Sequence, residues 1–218
     1  MKAIIAGSTG MVGSLVLENC LAAEEIKETI ALVRRPGSQP KQAQLKEEVI
    51  ADFTDYSNHA SLFQNTQLAF FCIGAYTGKV KDEEFKKITV DYAVAFAQAL
   101  KQHSPAATLC LLSGAGADRT EKSRISFARY KGMAENQIAA LGLQFYAFRP
   151  GYIYPVTPRR EPNVMYRISR FLYPVIKLFG KNTSIKSTEL AQGMVEVGLR
   201  GANQEVLENR DILDSIAS

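Results

Sequence analysis

Three glycines spaced Gly7-x-x-Gly10-x-x-Gly13 follow directly on the short apolar run Lys2-Ala3-Ile4-Ile5-Ala6. Where a strand turns into a helix through such glycines, backbone N–H groups at the helix start and the helix dipole attract phosphate. The loop Gly7-Ser8-Thr9-Gly10-Met11-Val12-Gly13 is therefore a candidate cradle for the pyrophosphate of a dinucleotide. The competing reading is a tight turn that only packs a helix on a sheet. About 20 residues on, a carboxylate at the end of the second strand would bond the ribose 2′-hydroxyl of NAD(H). Here that place reads Val33-Arg34-Arg35. Two guanidiniums suit a 2′-phosphate in bidentate fashion, so NADP(H) is expected over NAD(H), against the alternative of a solvated surface pair. Asp52-Phe53, ending the third apolar run, is placed to meet the adenine, and Cys72-Ile73-Gly74, ending the fourth, to pass beside the cofactor's ribose.

Other chemistries are poorly supplied. His59 and His103 are the only histidines and have no partners at ligand spacing, so neither a zinc site nor a Ser-His-Asp hydrolase is expected. Cys20, Cys72 and Cys110 stand apart among apolar neighbours and read as buried free thiols of a reducing compartment. No stretch approaches the ~20 apolar residues of a membrane span, and the N-terminal run is too short for a signal core, so a soluble cytoplasmic protein is expected. The net charge is only +4, but Arg159, Arg160, Arg167, Arg170, Lys177, Lys181 and Lys186 face Glu161 alone within residues 151–186. That segment reads as a substrate lid, as packing with solvated cations, or as a surface for an acidic protein or an anionic membrane. Nucleic-acid binding has no motif support.

The elements that must position these residues alternate. Lys2–Ala6, Thr29–Val33, Val49–Ala51, Leu68–Ile73, Thr108–Leu112 and Phe145–Phe148 read as strands. Helices are expected after Gly13, about 58–63, as one long element over 82–103 capped by Asp82, over 125–141 and over 187–199. A last strand falls at Glu205-Val206-Leu207. The alternation predicts an α/β fold, a doubly wound parallel sheet of Rossmann type with strand order 3-2-1-4-5-6. The 218 residues form one domain in this reading, with 152–187 a small basic lid or insertion.

Gly7 to Gly13, Val33-Arg34-Arg35, Val90-Asp91, Leu111-Leu112-Ser113, Tyr130-Lys131-Gly132 and Phe148-Arg149-Pro150-Gly151 carry a likeness along the whole chain. The chain resembles the atypical, or extended-type, short-chain dehydrogenase/reductases, and within them the Tat-interacting-protein oxidoreductase-like branch. The resemblance implies NADP(H) binding, further cofactor contacts at Pro150, Gly151 and Tyr152, and a Ser-Tyr-x-x-x-Lys catalytic set. Ser113 matches the serine that bonds the substrate carbonyl. Lys131 matches the lysine that holds the nicotinamide ribose and depresses the tyrosine pKa. The tyrosine position holds Phe127, which has no hydroxyl. Tyr130 lies about 60 degrees round the helix from it and is the substitute candidate. Tyr173 and Lys177 repeat the spacing but enclose Pro174, and the match reads as accidental.

Two functions remain open on these residues. One is an NADP(H)-dependent oxidoreductase of a carbonyl or alcohol, with Ser113, Lys131 and Tyr130 or water as its groups. The other is a non-catalytic NADP(H)-binding regulatory or scaffold protein, favoured by Phe127. A nucleotide-sugar epimerase or dehydratase is disfavoured, because too little chain follows residue 151 for a substrate domain. Substrate and oligomeric state are not encoded in any motif.

Overall fold

All four side chains of Leu68-Ala69-Phe70-Phe71 are buried, as a parallel strand covered on both faces requires. In a computed structural model, which describes residues 1–37, 39, 42–76, 78–156 and 183–217, this strand (β4) lies at the centre of a parallel sheet. Its companions are β1 (Lys2–Ala6), β2 (Glu28–Val33), β3 (Leu45–Val49), β5 (Thr108–Leu112), β6 (Gln144–Arg149) and β9 (Val206–Glu208). The order is β3-β2-β1-β4-β5-β6-β9, so the expected 3-2-1-4-5-6 arrangement holds and the late strand extends it beyond β6. The direction of winding reverses between β1 and β4, which pair from Ala3↔Leu68 to Ala6↔Phe71.

Strand periodicity divides the core into two layers. Ile4, Ala6, Ala69, Phe71, Leu109 and Leu111 face α2 (Ala60–Phe63) and α4 (Tyr92–His103), where Phe63 and Phe96 meet at 5.5 Å between ring centres. Ala3, Ile5, Leu68, Phe70 and Cys110 face the other way, onto α1 (Gly13–Ala22), α6 (Ser187–Arg200) and α7 (Asn209–Ser215). Among the described residues, α3 (Asp82–Lys86) and α5 (Ser126–Ala139) complete the α-helices. All three cysteines are free and buried, and burial pushes each thiol above its ordinary range.

Three expectations need correction. The third strand is the charged stretch Leu-Lys-Glu-Glu-Val at 45–49, not the apolar Val49-Ile50-Ala51. It is an edge strand paired only with β2, so its faces stay partly exposed; apolar Ile50 marks where the chain leaves the ladder for the core. The helix over 82–103 runs unbroken as expected but is not a regular α-helix throughout: a π-turn at Lys87–Asp91 lies between α3 and α4. The turn contains the β-branched run Ile88-Thr89-Val90 and places Phe85 and Val90 together against α5 while α4 faces the sheet. Asp82 is not the cap, which is Lys81.

Beyond β6, β7 (Tyr152–Tyr154) and β8 (Ser184–Lys186) pair in parallel from Tyr152↔Ser184, joining the two ends of the expected insertion. Its cations from Arg159 to Lys181, and the Tyr173–Lys177 spacing, lie outside the described residues. Lys186 is ion-paired with Glu189 at 3.1 Å.

Phe96 sits fully buried among the rings of Tyr56, Phe63 and Phe71. Phe96→Ala should lower the free energy of unfolding by roughly 3–5 kcal/mol in denaturant titration; a loss below about 1 kcal/mol would contradict the two-layer packing.

Candidate dinucleotide-binding site

Parallel strands all end on one edge, so Gly7, Arg34, Asp52, Cys72, Ser113 and Pro150 emerge together beside the β1/β4 switch point, the crevice where ligands bind in open sheets of this kind. Gly7 has φ +91°, a conformation that favours glycine, and a Cβ there would stand 2.7 Å from the Cys72 carbonyl carbon. A Cβ on Gly13 would overlap the Gly7 carbonyl. The turn thus closes on the exit of β4 and delivers α1 with no acidic residue in its first turn and no side-chain cap. Gly10 and Thr9 are exposed above it and Ser8 is buried. A Cβ at Gly10 would lie 3.2 Å from the Gly7 oxygen, narrowing the cradle. These features fit a pyrophosphate: bare backbone, leading N–H groups, and no carboxylate to repel it.

Arg34 and Arg35 are exposed at the exit of β2. Sequence reasoning found no carboxylate here, but β3 brings one: Glu47 accepts a hydrogen bond from the Gly37 N–H at 2.6 Å and fixes the turn after the arginines. Asp52 accepts from the Thr54 N–H (2.9 Å) and hydroxyl (2.8 Å), and these bonds hold its carboxyl below the ordinary range. Phe53 is a core residue whose ring lies 5.7 Å from that of Tyr92, so its side chain is not available to a ligand. Cys72 is buried, with its thiol pushed up to about 12, while Gly74 is open to solvent.

The other half of the site centres on a group that sequence reasoning missed. Glu135, one helical turn after Lys131, has a fully buried side chain. It accepts from the Ser113 hydroxyl at 2.5 Å, from Arg119 Nε at 2.8 Å, and from Arg149 Nε and Nη2 at 3.0 and 2.6 Å. Burial opposes ionisation, but hydrogen bonds from Arg149, Ser113 and Arg119 outweigh it and hold the carboxyl below its ordinary value. The signal available in sequence was a glutamate on the buried face of α5, with Arg149 at the end of β6. Gly132 lets α5 reach the Asp118–Arg119 backbone, where a Cβ would overlap it.

Lys131 is buried, and its ammonium donates to the Leu112 carbonyl at 2.8 Å, directly before Ser113. Desolvation brings its pKa down to about 8, with the charge of Glu135 opposing. Tyr130 does not join it. Its hydroxyl donates to Asp82 at 2.6 Å and its ring packs on Phe85, so the expected approach of Tyr130 to Ser113 and Lys131 is corrected. Adjacent helical residues diverge by ~100 degrees, and α3 supplies an acceptor on Tyr130's side. Phe127 instead lies over Gly114, where a Cβ would come within 2.5 Å of its ring. The Ala115 N–H donates to the Pro150 carbonyl and the Gly151 N–H to Asn209, which places Pro150 and Gly151 beside Ser113; Tyr152 begins β7.

Fold, glycine cradle and buried lysine together define a Rossmann-type protein for a nicotinamide dinucleotide. The profile of the NAD(P)H-binding family matches residues 7–197, and the chain belongs to that family. Protein HTATIP2 of Rattus norvegicus is 24% identical over 215 residues, spanning 96% of this chain and 86% of that protein. Among solved structures, Gre2 of Candida albicans in complex with NADPH aligns at TM-score 0.70 and 14% identity, over 95% of this chain and 77% of its own. The Bordetella bronchiseptica enzyme WbmF in complex with NAD+ aligns at TM-score 0.70 and 13% identity, over 98% and 76%.

Removing the carboxylate by Glu135→Ala takes from half-buried Arg149 the nearer of its two carboxylate partners and leaves it only Glu208 at 3.3 Å; it should cost roughly 3 kcal/mol, with a smaller loss for Glu135→Gln. Because the folded pKa is depressed, this stabilisation is complete above the ordinary value of 4.5 and is lost as pH falls through the folded value. Unfolding curves measured between pH 7 and pH 3 should therefore be steeper for the unaltered chain than for Glu135→Gln. Parallel curves would contradict the role assigned to the carboxylate.

Proposed function

We propose that the chain is an NADP(H)-dependent oxidoreductase of the atypical short-chain type, acting on a carbonyl or alcohol, in which Lys131 moves the proton in place of a tyrosine. The observation that carries this reading is the buried ammonium of Lys131 at the exit of β5, with its pKa near 8. When bound, the nicotinamide supplies or takes up hydride. A group of pKa about 8 both gives and takes a proton at neutral pH, which is what general acid–base catalysis requires. The two hydroxyls expected to serve are committed elsewhere: Tyr130 to Asp82 and Ser113 to Glu135. A serine has one proton to donate, so Ser113 offers lone pairs to the site and orients a substrate hydroxyl or a water. Exposed Arg34 and Arg35 support NADP(H) over NAD(H), since each guanidinium can bond a 2′-phosphate in bidentate fashion.

The second reading, a non-catalytic NADP(H)-binding regulatory or scaffold protein, is favoured by Phe127 standing over Gly114. In that reading the basic segment 159–186 meets an acidic protein or an anionic membrane. Among the described residues no helix is long and apolar enough to cross a membrane, and no group of three or more His, Cys, Asp and Glu could hold a metal ion.

Calorimetric titration should show NADPH binding about tenfold or more tighter than NADH, with the preference lost in Arg34→Ala/Arg35→Ala. Equal affinities would contradict the NADP(H) assignment. On a panel of carbonyl substrates with NADPH, turnover should fall as pH rises through about 8, where Lys131 loses its proton, and vanish in Lys131→Met. Tight binding without turnover on that panel would overturn the enzyme reading in favour of the regulator.

A further inference from the structure

We infer that Gln39 is a specificity-determining residue for the nucleotide, a third arm beside Arg34 and Arg35 that reads the group on the 2′ carbon of the adenosine ribose. The inference rests on the NADP(H) reading. The Gln39 amide nitrogen donates to the Ser8 hydroxyl at 3.1 Å, joining the chain after β2 to the phosphate loop 31 positions earlier. That reach is set up by the turn at Gly37, whose N–H is held by Glu47 on the neighbouring strand. In this fold the adenosine ribose lies between the phosphate loop and the end of β2, the interval that the Gln39–Ser8 bond spans.

The chemistry of the pair matches a phosphate. The Gln39 amide carries a second N–H, and Ser8, by accepting from Gln39, keeps its own proton to donate. A 2′-phosphate offers only acceptors and negative charge, so it gains from Gln39 and the guanidiniums together. A 2′-hydroxyl gains far less. A carboxylate at position 39 erodes the preference, because it repels phosphate.

The test is calorimetric titration of the unaltered chain, Gln39→Ala, Gln39→Glu and Arg34→Ala/Arg35→Ala with NADPH, NADH, 2′,5′-ADP and 5′-ADP. The two shorter nucleotides read the adenosine end without the nicotinamide. Gln39→Ala should weaken NADPH and 2′,5′-ADP by about threefold or more, the worth of one hydrogen bond, and leave NADH and 5′-ADP within about twofold. Gln39→Glu should weaken the two 2′-phosphorylated nucleotides by about tenfold or more and spare the others. If both Gln39 variants keep the unaltered NADPH-to-NADH ratio while the arginine variant loses it, Gln39 only packs the loop and this inference alone falls. If the unaltered chain binds none of the four, the cofactor reading itself falls and takes this inference with it.

Discussion

Strand β1 can hand over to α1 only because no side chain stands at Gly7 or Gly13, where the turn touches the exit of β4 and its own carbonyl. Everything around the glycine turn follows from that contact. It brings Cys72-Ile73-Gly74 beside the loop, aims the bare start of α1 at the crevice, and leaves Ser8 buried within reach of Gln39. A Cβ at either glycine would force the helix off the sheet, and with it the α1 layer of the core that packs Val16, Leu17 and Cys20 on Ile5 and Phe70.

The edge beyond β5 and β6 is organised by a buried carboxylate instead. Glu135 ties α5 to the exits of β5 and β6 through Ser113 and Arg149, and to the intervening loop through Arg119. Arg119 and Arg149 reach on to Glu205 and Glu208 at 2.7 and 3.3 Å, so the network also fastens the last strand to the sheet. Its consequence for chemistry is directional. The Ser113 hydroxyl spends its proton on Glu135, and burial brings the neighbouring Lys131 ammonium down to about 8. Phe127 has no proton to give, and its ring fills the space above Gly114.

Local signals carried the fold. Apolar runs, glycine turns and helical spacing are properties of neighbouring residues, and they identified the sheet order, the glycine turn between β1 and α1, and the helices bearing Lys131 and Leu190. The misplaced β3 shows where that logic fails: an edge strand is half solvated, so Lys46, Glu47 and Glu48 hide it from a search for apolar runs. The π-turn at Lys87–Asp91 is set by packing of Phe85 and Val90 on Tyr130, a contact between distant segments. Glu135, Glu47 and Gln39 were invisible for the same reason, since each acts through a partner 10 to 31 positions away. Tyr130 was placed correctly on its helix, but its hydroxyl was claimed by Asp82 from another element.

The central claim, that a nicotinamide dinucleotide sits on the Gly7–Gly13 loop, is tested most directly by thermal unfolding of the unaltered chain and Gly10→Asp, with and without NADPH. Gly10 is exposed and outside the left-handed region, so the aspartate adds charge at the cradle, its Cβ 3.2 Å from the Gly7 oxygen, while the core stays packed. Saturating NADPH should stabilise the unaltered chain by about 2.7 kcal/mol at a hundredfold excess over Kd and leave Gly10→Asp unshifted. An equal shift in both proteins would place the nucleotide elsewhere and contradict the account.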